Sequence, residues 1–135
     1  MAKISKTYKP TQKEKFMNAK MKEYFRQKLL SWKNDLLKES NQTLYNLQSE
    51  NGAKPDITDR ASEEIDRAFE LRTRDRERKL INKIDAALKR IDDGSYGYCE
   101  ETGEPIGLKR LEARPVATLS LEAQEMHEKA EKRSN

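Results

Sequence analysis

The sequence predicts a mainly α-helical protein, with a long antiparallel two-helix coiled coil projecting from a small globular lobe that carries a C-terminal helix. Three observations point there. Charged residues make up 39% of the 135 residues, well above the roughly 25% of an ordinary globular chain. Two long stretches carry apolar residues every three or four positions, so each buries a narrow seam and solvates the rest. Glycine and proline interrupt the pattern once between these stretches and repeatedly after the second.

Residues 1–12 are polar and aperiodic and read as a loose tail. A coiled-coil hairpin is expected over residues 13–93. From Phe16 onward Met17, Met21, Phe25, Leu29, Trp32 and Leu36 recur at helical spacing, weakly extended by Leu44 and Leu47. Gly52 and Pro55 break the stripe and place the hairpin tip at about residues 52–60. The second helix is expected to start near Asp59. There Thr58 or Asp59 can cap free N–H groups, and Glu63, Glu64 and Asp66 suit the positive end of the helix dipole. Its apolar stripe is read as Ile65, Ala68 or Phe69, Leu80 or Ile81, Ile84, Leu88 and Ile91. It stops at Asp92-Asp93-Gly94, where glycine accepts the left-handed C-terminal conformation. At a rise of 1.5 Å per residue each helix would be about 45 to 50 Å long, with the tip far from the lobe.

Residues 94–135 form a different region. Gly94, Gly97, Gly103, Gly107, Pro105 and Pro115 rule out one continuous helix and suggest tight turns with a short strand near Ile106 to Leu108. A last helix is expected from Leu121 to about Lys132, capped by Ser120.

The charge balance limits the function classes. A formal net charge of +4 from 28 basic and 24 acidic residues is too evenly mixed for a protein that coats duplex DNA. No run of about 18 apolar residues could span a membrane, and the first residues lack an apolar signal-peptide core. The single cysteine, Cys99, excludes an internal disulfide framework and fits a cytoplasmic protein. No catalytic triad, phosphate loop or metal-hydrolase motif is visible, so the chain is not expected to be an enzyme.

The segment Tyr96 to Ala123 has the knuckle glycines and spacer of a C-x₂-C…C-x₂-C zinc site. Its four ligand places hold Cys99, Thr102, Ser120 and Ala123, of which only the first can bind zinc, so no metal cofactor is expected. A core of Tyr96, Tyr98, Ile106, Leu108, Leu111, Val116, Leu119 and Leu121 would replace the metal, while Thr102 and Ser120 hydrogen-bond the turns. An improvised site from Cys99, Glu100, Glu101 and His127 would need four well-placed donors. His127 is read as a surface residue. Glu100 and Glu101 are expected to raise the Cys99 pKa, which favours an inert thiol over a redox-active one.

Four blocks resemble the DksA/TraR family: Pro55-Asp56-Ile57-Thr58-Asp59-Arg60-Ala61, ELRTRDRERKLINKID from Glu70 to Asp85, YGYCEETGEPIGLKRLEARP from Tyr96 to Pro115, and more weakly YFRQKLLSWKNDL from Tyr24 to Leu36. The resemblance implies a zinc-independent, cysteine-poor member. It implies a monomeric transcription factor whose partner is bacterial RNA polymerase, with the coil tip inserted into the secondary channel near the catalytic centre. Such factors alter initiation, for example at ribosomal RNA promoters, together with ppGpp and without binding specific DNA.

Mapped onto this chain, the resemblance makes Asp56, Asp59 and Ala61 the tip residues and Arg72 and Arg76 the contacts to the channel rim. It makes Lys83 and Arg114 the ppGpp-binding cations, while a third family lysine is Gln124 here. From the residues alone, the favoured reading is that Asp56 and Asp59 shape the turn and cap the helix and that the Arg72–Lys79 run is a solvated face; the resemblance is what turns both toward function. A Gre-like transcript-cleavage factor and a basic coiled-coil scaffold or nucleic-acid binder are the alternatives.

Overall fold

The computed structural model describes the backbone of residues 3–49 and 57–134, and the side chains of residues 3–42 and 61–133. Four helices follow in order: α1 (Ala19–Ser49), α2 (Ile57–Asp93), α3 (Leu108–Ala113) and α4 (Leu121–Ser134). The mainly α class is as expected, with α1 and α2 the long pair at 31 and 37 residues. Asp56 lies outside the described residues. Thr58 and Asp59 sit inside the first turn of α2 rather than ahead of it, and their side chains are outside the described set.

The helical spacing from Phe16 starts three residues before the helix does. Asn18 caps α1, its Oδ1 accepting from the Met21 N–H at 2.9 Å. Met17 is held outside the helix at φ 56°, with its N–H 3.3 Å from the Met21 sulfur. Phe16 meets the Tyr98 ring edge-on, centroids 5.5 Å apart.

The chain divides into two compact units, Met1–Leu30 with Ile84–Asn135, and Ser31–Lys83. In the first, Met21, Phe25 and Leu29 of α1 and Ile84 and Ala87 of α2 are fully buried with Leu111 of α3. Each of the larger side chains, Ala87 excepted, contributes about 1.5–3 kcal/mol on leaving water. Tyr96 sits among them, 1% exposed, its ring 5.6 Å from Phe25 and its hydroxyl donating to the Pro115 carbonyl at 2.8 Å. Gly97 follows at φ +90°, and a Cβ there would come within 3.1 Å of the Met17 side chain, so only glycine fits. Tyr8, in the segment read as a loose tail, lies edge-on to Tyr24 at 6.1 Å. Glu112 of α3 accepts from Lys28 Nζ at 2.7 Å and from the Tyr24 hydroxyl at 3.1 Å, tying α3 to α1.

Three sequence readings of this unit need correction. Leu108 begins a short helix instead of closing a strand; the sole β feature among the described residues is an isolated bridge, Tyr98 to Pro105. Leu121, expected in the core, is 58% exposed, because at the first position of α4 it points away while Ala123 turns inward at 2%. Tyr98, Leu108, Val116 and Leu119 are only half-buried.

In the second unit the α2 seam differs from the one read off the sequence. Ile65 and Phe69 are 70% and 69% exposed. The less exposed positions are Glu63, Arg67, Glu70, Arg74 and Glu77, spaced four and three apart. That row continues the register of Ile81, Ile84, Leu88 and Ile91. Register outweighs polarity here: a side chain keeps the face its spacing assigns, so the inward row turns ionic toward the start of α2. Glu77 is buried at 9% exposure with Glu39 nearby, and its Oε2 has no hydrogen-bond partner among the described residues.

Candidate functional site

The residues singled out from the sequence fall into three groups. Asp56 and the Asp59 side chain lie outside the described residues, and Ala61 is an exposed residue of α2. Arg72 and Arg76, one helical turn apart, are both exposed on the outer side of α2, not in its seam. Lys83, seven residues beyond Arg76, is exposed on the same face. Lys79 joins them by the same three-and-four spacing, a signal present in the sequence but hidden within a uniformly charged run.

Arg114 ends α3. Its N–H bonds back to the Arg110 carbonyl at 2.7 Å and its side chain is exposed. It forms part of the wall of an open groove of about 470 Å³, together with Lys109 and Leu121. A guanidinium on such a rim suits an anionic ligand. Gln124, where the family pattern has lysine, hydrogen-bonds Glu128 at 3.3 Å on the surface of α4.

The third group is the former knuckle. Gly103 N–H closes a turn on the Cys99 carbonyl at 2.9 Å, and Cys99 N–H donates to Glu104 O at 2.8 Å. Thr102 Oγ1 accepts from the Glu104 N–H at 3.3 Å, and Ser120 Oγ caps α4 by accepting from the Ala123 N–H at 3.2 Å. Both hydroxyls thus take the turn-bonding roles expected of them. Cys99 is 3% exposed, and the thiol is acidified rather than raised, its pKa lowered to about 6. The Thr102 hydroxyl contributes most, followed by the Ser120 N–H, with the N–H groups of Thr102 and Glu101 adding to them. Donors at the sulfur favour the thiolate, and they outweigh the burial that would raise the pKa. His127 is an exposed residue of α4 that pairs with Glu101, and its pKa is raised mainly by that contact.

Zinc does not fit this donor set. One sulfur, two hydroxyls already engaged with backbone N–H groups and a methyl cannot supply a tetrahedral site. Among the described residues no three His, Cys, Asp or Glu side chains gather closely enough to hold a metal. No helix there is long and apolar enough to cross a membrane.

Comparison with known proteins covers nearly the whole chain. Residues 21–91 match the family model described as DnaK suppressor protein DksA, N-terminal domain. Residues 94–129 match the prokaryotic dksA/traR C4-type zinc finger. The RNA polymerase-binding transcription factor DksA of Caulobacter vibrioides is 64% identical over 125 residues, 93% of this chain and 88% of that protein. The factor of the same name from Escherichia coli K12 is 44% identical over 119 residues, 88% of this chain and 79% of that protein. The solved structure of transcription factor DksA2 from Pseudomonas aeruginosa superposes with a TM-score of 0.81 at 43% identity, covering 87% of this chain and 90% of that one. With both family models matched in order and the helical frame shared, this chain belongs to the DksA/TraR family, in a cysteine-poor form.

Proposed function

We propose that this chain regulates transcription by binding bacterial RNA polymerase directly, without reading a DNA sequence. The observation that carries the proposal is the 64% identity, across 93% of the chain, to a factor named for polymerase binding. In this reading the coil tip, with Asp56, Asp59 and Ala61, enters the secondary channel and acts near the polymerase active site. Carboxylates three residues apart suit surroundings rich in Mg²⁺ and basic groups. Arg72 and Arg76 contact the channel rim, and their exposure on one face of α2 supports that role. Lys83 and Arg114 bind ppGpp at the polymerase interface, where ammonium and guanidinium groups match phosphates. The protein acts as a cytoplasmic monomer, with no metal cofactor and no catalysis of its own.

The test is in vitro transcription from a ribosomal RNA promoter with cognate polymerase, comparing wild type with Asp59→Asn, with and without ppGpp and a zinc chelator. Inhibition that survives chelation, grows with ppGpp and vanishes in Asp59→Asn is expected. An inactive wild type, or an unaffected Asp59→Asn, overturns the tip mechanism. RNA cleavage in backtracked complexes would favour a cleavage factor instead.

A further inference from the structure

The outer side of α2 carries a second row at the spacing of its inner seam. Ser62, Ile65, Phe69, Arg72, Arg76, Lys79 and Lys83 fall three and four residues apart, and every one is exposed. The row changes character once. Ile65 and Phe69, at 70% and 69% exposure, are among the most solvent-facing large apolar side chains of the described residues. Four cations follow, with no carboxylate in the row. Among the described residues none of the four forms an ion pair, whereas Arg78 on the neighbouring row takes Asp75 at 3.2 Å.

This pattern costs stability in the free protein. Like charges one turn apart repel, and Ile65 and Phe69 leave most of their apolar surface in water. A solvated helix face normally interleaves opposite charges, as the Asp75–Arg78 pair does. A row that is apolar at one end and wholly cationic over the rest has a complement of one kind: an acidic protein surface with an apolar recess at one end. Nucleic acid would satisfy the cations but has no partner for Ile65 and Phe69 facing outward beside them.

We infer that Ile65 and Phe69 are the apolar anchors of the polymerase contact, seated in a recess of the polymerase surface next to the acidic face that takes Arg72, Arg76 and Lys79, with Lys83 at the end of the row left to the nucleotide. The inference rests on the polymerase-binding reading above and extends it from two arginines to a composite row. The anchors hold the complex, through an apolar contact insensitive to salt, and the cations orient it and speed its formation.

The experiment is equilibrium binding of the fluorescently labelled full chain to cognate RNA polymerase at several salt concentrations. It uses wild type, the double variant Ile65→Ser/Phe69→Ser, the double variant Arg72→Ala/Arg76→Ala, and Asp59→Asn. Circular dichroism checks helix content, which these outward positions are expected to leave unchanged. Loss of the anchors is expected to weaken binding about tenfold or more at every salt concentration. Loss of the arginines is expected to flatten the salt dependence. If the anchor variant binds within about twofold of wild type while the arginine variant is impaired, the inference falls and the polymerase reading stands. If wild type does not bind polymerase at all, both fall. Displacement of polymerase by duplex DNA, or a wild-type dimer in sedimentation that the anchor substitutions dissociate, would assign the row to nucleic acid or to a second copy of this chain and overturn the inference.

Discussion

The Thr102 hydroxyl is the largest influence lowering the pKa of the Cys99 thiol, so two of the four ligand places of the zinc-finger pattern act on each other directly. The same two residues hold the turn around Gly103, the Cys99 carbonyl accepting from the Gly103 N–H and Thr102 Oγ1 from the Glu104 N–H.

The first prediction follows from that contact. The folded thiol titrates at about 6 instead of near 9, so the folded state binds fewer protons than the unfolded one between those values. The stabilisation is complete above the ordinary thiol value and is lost as pH falls through about 6. Thr102→Val is expected to move the thiol titration upward. Thiolate ultraviolet absorbance against pH, with Cys99→Ser as blank, reads it directly. An unmoved midpoint would show that the backbone N–H groups alone hold the thiolate.

Glu77 works in the opposite direction. Burial first, and then Glu39, raise its carboxyl pKa. Its favourable contribution is therefore present below the ordinary carboxylate value and lost as pH rises through the folded one. Once ionised it is a liability, since Oε2 has no partner among the described residues. Glu77→Leu is expected to stabilise the protein by about 1 kcal/mol in urea unfolding. A lower midpoint for that variant would mean Glu77 contributes a contact that its burial conceals.

Tyr96 anchors the core through its hydroxyl bond to the Pro115 carbonyl. Tyr96→Phe keeps the ring and orphans the carbonyl, at a cost of about 1–3 kcal/mol. Leu111→Ala, at a fully buried site, is expected to cost about 2–5 kcal/mol. Denaturant unfolding with and without chelator measures both, and chelator should change neither.

In the proposed nucleotide site, Gln124 stands where the family resemblance implies a lysine, and its amide is occupied with Glu128. Gln124→Lys is expected to lower the ppGpp concentration needed for half-maximal inhibition by roughly threefold, the strength of an exposed ion pair. Titration of ppGpp in the transcription assay measures it. An unchanged midpoint would place the nucleotide away from α4.

Much of this was legible in the sequence, and the misses share causes. The Ser120 cap of α4 and the glycine that ends α2 were readable because a cap is a local event written in one or two residues. The start of α1 was misread because Met17 is apolar and correctly spaced, while what sets the helix start is the Asn18 side chain. The ionic part of the α2 seam was misread because Ile65 and Phe69 are the apolar residues there. The register carried from Ile81 to Ile91 would have assigned the seam to Glu63, Arg67 and Glu70. The acidity of Cys99 depends on where backbone N–H groups point, which residue types do not encode.

The same register sets how α2 comes apart. Its inner row is aliphatic from Ile81 to Ile91 and ionic from Glu63 to Glu77, so the helix carries its cohesion at one end. Amide hydrogen exchange should be graded along it: protons between Ile84 and Ile91 are released only by global unfolding, and those before Glu77 by cheaper local openings. A helix built this way breathes at its N-terminal half without risking its core. Surface substitutions there can change partner preference with little cost to folding, while any cavity near Ile84 is felt by the whole molecule.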